Sequence, residues 1–348
     1  MPTAITCTKD RFHYSLTLMN EVLFSVDRYD ESNTSRCYQT KLPEGVRGKI
    51  ISIHALCDQT IAIVVRHDEG DALSFCLYQV DDGTLSTVRN FTLMHRGIAP
   101  VSPVYSNGWF MVYLTPESLE DTQSVMLINV DKDVAPDEYV KCVTTPFSAI
   151  QCVTEDPRGG FYLAGMRYAD GVYLDEGVQI ARLSTVGSED GPFSVSLLEA
   201  TLSSREREDD APLTQVESLQ VTPDARYLAI IRSAFDEEAT KCYHSYSVID
   251  LDKGEVVFNH RSNALDNARI YYDSVKGDTH VITPSQYLMY QPGSGSIVYN
   301  ICPLYQCWNI AYMQPIHEDD GSITRAWLVQ ANEVASARMV DAPHCYRG

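Results

Sequence analysis

Between residues 216 and 260 the chain reads VESLQVTPDARYLAIIRSAFDEEATKCYHSYSVIDLDKGEVVFNH, and the alternation of apolar and polar positions divides it into four short strands. Residues 216–221 alternate. Thr222-Pro223-Asp224-Ala225 then turns the chain, because proline pre-sets φ and aspartate can accept from its own backbone two residues on. Residues 227–231 are almost wholly apolar, as a strand buried on both faces is. Residues 243–250 alternate again, and Asp252-Lys253-Gly254 predicts a hairpin into residues 255–258. A four-stranded meander this short cannot bury both faces by itself, so neighbours of the same kind are expected around it.

The same rhythm recurs along the chain. Units are expected at residues 9–42, 49–94, 100–144, 147–202, 214–261, 266–302 and 307–343, a spacing of about 45 to 50 residues. The predicted fold is all-β: one β-propeller over residues 1–348 with about seven four-stranded blades. The last unit is short of a strand. Residues 3–8 precede the first unit and are strand-like, so they are expected to complete the last blade and close the ring, leaving no open edge. Two packed β-sandwiches are the alternative, disfavoured by the regular period. The charged stretch Ser203 to Ala211 is read as an exposed connection, since the pattern is the same on both sides of it.

The rhythm, and phrases such as Val221-Thr222-Pro223-Asp224-Ala225-Arg226-Tyr227-Leu228-Ala229 and Val248-Ile249-Asp250-Leu251-Asp252-Lys253-Gly254, resemble the WD-repeat propellers over nearly the whole chain. The Trp-Asp and Gly-His dipeptides of that family do not occur, so its hydrogen-bonded tetrad is not carried over. In size and architecture the chain also resembles the compact propeller adaptors of the spindle checkpoint and of messenger-RNA export. That resemblance implies a subunit that binds a short partner peptide across one propeller face.

Charge narrows the choice of partner. With 27 Lys and Arg against 47 Asp and Glu the net charge is −20, which repels phosphate backbones and anionic lipid. Direct nucleic-acid and membrane binding are therefore not expected. The ten cysteines are scattered without a C-x-x-C pair, and no basic-then-apolar leader opens the sequence. Reduced thiols and a nuclear or cytoplasmic location are the expectation. No phosphate loop, nucleophile elbow or zinc-helix motif occurs, and neither cofactor nor metal is called for. The chain is read as non-catalytic. A catalytic site assembled from loops at the propeller mouth needs no local motif and is one alternative. A structural subunit of a coat, ciliary or ribosome-associated assembly is the other.

One constellation stands out. Leu23 to Arg28, Ile61 to Arg66, Tyr162 to Arg167 and Tyr227 to Arg232 end alike, in arginine, each taken as the second strand of its unit. Arg28, Arg66, Arg167 and Arg232 are thus expected on one face, that of the connections after the second and fourth strands, with Arg96 beside them. Tyr29, Tyr168 and Phe235 follow closely in three of the four. Arginine with exposed aromatics has the composition of interface hot spots, and its bidentate fork suits acidic or phosphorylated segments. The competing reading pairs these arginines with Asp68, Asp170 and Asp236 and packs the aromatics beneath the loops. The expected assembly is a monomeric propeller bound to a larger protein subunit.

Overall fold

The computed structural model describes residues 5–9, 12–20, 23–32, 35–57, 59–68, 72–92, 103–114, 118, 121–130, 140–169, 172–173, 177–186, 193–200, 202–203, 212–234, 243–262, 269–282, 287–291, 296–300, 310–320, 322–331 and 335–341. These are strands and turns, without a helix. The first sheet contains β1 (Ile5–Lys9), β2 (Phe12–Leu18), β3 (Leu23–Tyr29) and β4 (Ser35–Lys41). The second contains β5 (Lys49–Cys57), β6 (Thr60–Arg66), β7 (Ala72–Gln79) and β8 (Leu85–Thr92). The third contains β9 (Val104–Ser106), β10 (Trp109–Tyr113), β11 (Ser124–Asn129) and β12 (Val140–Thr144).

In the fourth, β13 (Ala149–Glu155) and β14 (Gly160–Met166) are followed by a small ribbon, β15 (Tyr168–Ala169) with β16 (Val172–Tyr173). The sheet then resumes with β17 (Gln179–Ser184) and β18 (Ser194–Leu197). The fifth is β19 (Leu213–Val221), β20 (Tyr227–Ala234), β21 (Tyr243–Asp250) and β22 (Glu255–Ser262). The sixth is β23 (Arg269–Asp273), β24 (Asp278–Ile282), β25 (Tyr287–Gln291) and β26 (Ser296–Asn300). The seventh has three strands among the described residues: β27 (Ile310–His317), β28 (Ile323–Ala331) and β29 (Ala335–Asp341). Every pairing is antiparallel between neighbours, as a meander requires.

The apolar runs are continuous because both faces of each second strand are covered. In β6, Ile61, Ile63 and Val65 pack towards Tyr14, Leu16, Phe24 and Val26 of the first sheet. The intervening Ala62 and Val64 pack towards Phe110, Val112, Met126 and Ile128 of the third. The period of two thus sends alternate side chains into two different cores. Met111, Tyr113, Val125 and Leu127 meet Phe161, Leu163, Ala181 and Leu183 in the next layer. Tyr162, Ala164 and Ile180 then meet Leu228, Ile230 and Ile249. Tyr227, Ala229 and Ile231 continue the series to Tyr272 of the sixth sheet.

The expected closure by the N-terminal strand is corrected. β1 pairs with β2, from Ile5 opposite Leu16 to Lys9 opposite Phe12, and forms the first strand of the first sheet rather than an added strand of the last. A two-residue hairpin connection costs far less chain entropy than pairing with a strand some 330 residues away. Ile5, Cys7 and Phe12 also bury against the core between the first two sheets, which fixes the register. The last sheet meets the first face to face instead. Trp327, Ile316, Val329 and Met339 pack on Tyr29, and the His13 ring lies 5.5 Å from the Trp327 ring.

His13 is fully buried, and burial lowers its pKa to about 3. The folded chain therefore holds it neutral, whereas the unfolded chain takes up a proton below about pH 6.5. Stability from this group is full above pH 6.5 and is lost as pH falls towards 3, with about 1.4 kcal/mol gone by pH 5.5. His54, lowered to about 4 by burial, adds in the same direction. Urea midpoints at pH 7.5 and 5.5 should show a smaller acid loss for His13→Phe than for the native chain. An equal loss in both would exclude His13 as a source.

The six described cysteines, Cys7, Cys37, Cys57, Cys76, Cys142 and Cys152, are thiols. Cys242, Cys302, Cys307 and Cys345 lie outside the described residues.

Candidate functional site

Because each sheet is a meander, its loops fall alternately at two ends. One end carries the connections after the second and fourth strands, the other the turns after the first and third. The ends are shared between sheets. Gln151, early in β13, donates to the Thr214 carbonyl (2.6 Å) and accepts from Val216 N–H (2.8 Å) early in β19. Those are free-edge groups of an innermost strand, and one side-chain amide satisfies a donor and an acceptor together. Gln123 makes a similar joint between the third and fourth sheets, donating to the Leu114 carbonyl and accepting from Ile150 N–H at 2.8 Å.

The predicted arginines separate on this frame. Arg66 closes β6 at the end expected for it, half-buried and directly opposite Lys49. Arg167 stands exposed just beyond β14, and Tyr168 opens the β15–β16 ribbon, half-buried, with its N–H donated to Ser148 Oγ (3.1 Å). These three share one end of the sheets.

Arg232 does not join them as an exposed group. β20 runs two residues past it, the strand is buried throughout, and Arg232 is 1% exposed. Its Nη1 donates to the Ser203 carbonyl at 2.7 Å, strapping the connection that leads out of the fourth sheet. Arg28 lies at the opposite end, because β1 makes β3 the third strand of its sheet rather than the second. It stacks over Phe12 (4.9 Å) and approaches Asp81, in the turn after β7, at 4.0 Å. Tyr29 is buried in the seam between the first and last sheets, and burial there, with Asp27 nearby, pushes its hydroxyl up to about 12. Phe235 and Arg96 lie outside the described residues.

At the Arg28 end, cations are tied to buried carboxylates. Asp156 accepts from Arg182 Nε (2.6 Å) and Arg158 Nε (3.3 Å). Asp250 faces Arg226 and Lys253, and Asp273 faces Lys276 at 3.6 Å. Two of these turns share the pattern Asp-x-x-Lys-Gly, at residues 250–254 and 273–277. In each, the aspartate Oδ1 caps two backbone N–H groups, and the glycine N–H returns to the aspartate carbonyl at 2.8 Å. The glycines have φ of +68° and +73°, where a Cβ is disfavoured. Arg325 is held by Glu318 and by Glu31 of the first sheet, and those bonds raise its pKa. The repeated Asp-x-x-Lys-Gly was the sequence signal for this end.

Among the described residues no group of three or more His, Cys, Asp or Glu side chains is placed to hold a metal ion. No helix there is long and apolar enough to cross a membrane.

No protein-family model matches the sequence, and no curated protein matches it. Solved structures do. Sqt1 of Saccharomyces cerevisiae, a β-propeller protein, superposes with a TM-score of 0.52 at 11% identity, over 94% of this chain and 81% of its own. The fold is that of a β-propeller. An oligogalacturonate lyase in complex with manganese superposes with a TM-score of 0.52 at 10% identity, over 99% and 98% of the two chains. Hydrazine synthase of Kuenenia stuttgartiensis gives 0.51 at 8% identity, over 95% and 92%. At such identities the likeness is one of architecture, and function is decided by the residues each chain places on that architecture.

Proposed function

We propose that this chain is a single seven-bladed propeller, its ring closed by packing of the seventh sheet on the first, that acts as a non-catalytic interaction platform. In this reading it binds an acidic or phosphorylated segment of a protein partner on the end bearing Arg66, Arg167 and Tyr168. The observation that carries it is that Arg66, Arg167 and Tyr168, from two separate sheets, fall at one end, with Arg167 exposed there. At the other end Arg182, Arg226, Lys253 and Lys276 face buried aspartates. Ring closure is supported by the Trp327–His13 contact, the Arg325–Glu31 ion pair (3.1 Å) and the bond from Ile323 N–H to Asp273 (3.1 Å). In its narrower form the proposal is an intracellular adaptor subunit like those of the spindle checkpoint or messenger-RNA export.

Affinity capture on the tagged full-length chain should bring down a stoichiometric protein partner. Arg167→Glu should weaken that capture by about tenfold or more with little change in Tm, because an exposed strand-end charge contributes little to folding. Absence of any partner, or cross-links confined to the Arg28 end, would overturn this reading.

A further inference from the structure

The connection between the first and second sheets concentrates positive charge in an acidic protein. Residues 41–49, KLPEGVRGK, contain three cations and one carboxylate, in a chain with 27 cations and 47 acids. Lys41 closes β4, Arg47 lies in the connection, Lys49 opens β5 and Arg66 closes β6. All four are therefore at the end that carries Arg167.

Lys49 and Arg66 stand directly opposite each other, so two cations meet across one position of the sheet. Lys41, Arg47 and Lys49 are exposed and make no ion pair among the described residues. Arg28, Arg182, Arg226, Lys253, Lys276 and Arg325 each have a carboxylate partner. Glu44 and Asp68 are the exposed described carboxylates beside the patch.

The base beneath these cations is fixed. Leu42 and Val46 bury into the core between the two sheets, and Val46 N–H closes a turn on the Pro43 carbonyl at 3.1 Å. Gly48, at φ +145°, lies so close to the Arg66 backbone that a Cβ would stand 2.0 Å from the carbonyl oxygen. A loop so anchored loses little further freedom when it binds.

Beside the charges lies exposed apolar surface. Leu18 and Met19 are 43% and 46% exposed. Met19 N–H donates to the Leu23 carbonyl (2.9 Å), and Leu23 is the cross-strand partner of Lys41. The apolar pair is therefore about two strand spacings, roughly 10 Å, from Lys41.

We propose that this corner, Leu18 and Met19 with Lys41, Arg47, Lys49 and Arg66, is the docking surface for an acidic protein segment that carries an apolar side chain. Carboxylates of the segment meet the cations, and its apolar residue covers Leu18 and Met19. The inference rests on the interaction-platform reading and fixes where, and with what chemistry, the partner binds. The occupant follows from charge. A nucleic acid or an anionic bilayer extends beyond the patch and meets the remainder of a molecule of net charge −20. A short acidic segment meets only the patch, since repulsion beyond a Debye length of about 8 Å is screened.

The test titrates the full chain into a fluorescein-labelled peptide made of three Glu-Glu-Leu-Glu repeats and follows anisotropy. The native protein should bind it, more weakly as salt rises. Lys41→Glu with Lys49→Glu should weaken binding by at least about tenfold, and Lys41→Gln with Lys49→Gln by less. Leu18→Ser with Met19→Ser should weaken binding while leaving its salt dependence unchanged. Unaltered Tm values would show that the variants fold. No binding by the native chain, undiminished binding by the Lys41→Glu/Lys49→Glu variant, or tighter binding to oligouridine or to vesicles one-fifth phosphatidylserine would each overturn the proposal. If that variant still captures the native partner while Arg167→Glu does not, this docking site falls and the platform stands. If the native chain captures no partner, the platform falls.

Discussion

Replacing Trp327 with alanine should destabilise the protein by about 3–5 kcal/mol, the cost of deleting a large, fully buried aromatic. Unfolding entropy scales with chain length, so the expected fall in Tm is roughly 4–7 °C. Trp327 is 0% exposed and is the largest side chain in the seam where the last sheet meets the first, against Tyr29, Ile316, Val329 and Met339. The seam has no pairing between β29 and β1 among the described residues, so side-chain packing, with the Arg325–Glu31 ion pair, holds the last sheet against the first. Trp327→Phe separates packing from polarity. The indole N–H finds no acceptor among the described residues, so phenylalanine loses some volume but also removes a buried unpaired donor. It should cost far less than alanine. Thermal scans of the two variants decide: a loss below about 1 kcal/mol for Trp327→Ala would mean that the two sheets do not pack as described.

The sequence displays its strands because the architecture buries second strands on both faces. The run Ile61 to Val65 is apolar throughout since alternate residues serve different cores, and Tyr227 to Ile231 does the same. Strand register was less legible. Leu23 to Arg28 and Ile61 to Arg66 both end in arginine, yet β1 shifts the first by one strand and sends Arg28 to the opposite end. The Arg232 run looks like the Arg66 run, but β20 continues through Ser233 and Ala234 while β6 stops at its arginine. That two-residue difference decides whether the guanidinium is buried or half-exposed. Tyr29 was spelled like an exposed rim aromatic and is buried because a sheet some 300 residues later folds over it, which no local pattern reveals. The Lys41–Lys49 patch was readable as a charge reversal within an acidic chain. Its meaning depends on Leu42 and Val46 being anchors rather than loop residues.

Asp273→Ala should be comparably costly, about 3–5 kcal/mol, and for a different reason. The carboxylate is 0% exposed. Its Oδ1 accepts from Val275 N–H (3.1 Å) and Lys276 N–H (2.9 Å), shaping the turn of its own sheet. Its Oδ2 accepts from Ile323 N–H (3.1 Å) at the start of β28, so a single side chain joins the sixth sheet to the seventh. Alanine strands three backbone donors, each costing about 1–3 kcal/mol if left without a partner, less whatever water recovers. The nearby ammonium of Lys276 is about half exposed and can simply resolvate, so Lys276→Gln should cost at most about 1 kcal/mol. Asp273→Asn should fall between them. An amide can still cap the turn with its oxygen, but it presents a second N–H to Ile323, donor against donor. Urea unfolding of the three variants at neutral pH gives the order, with Ala worst and Gln mildest. Equal losses for Lys276→Gln and Asp273→Ala would instead assign the stabilisation to the ion pair. A mild Asp273→Ala would mean that the Ile323 bond does not hold the two sheets together.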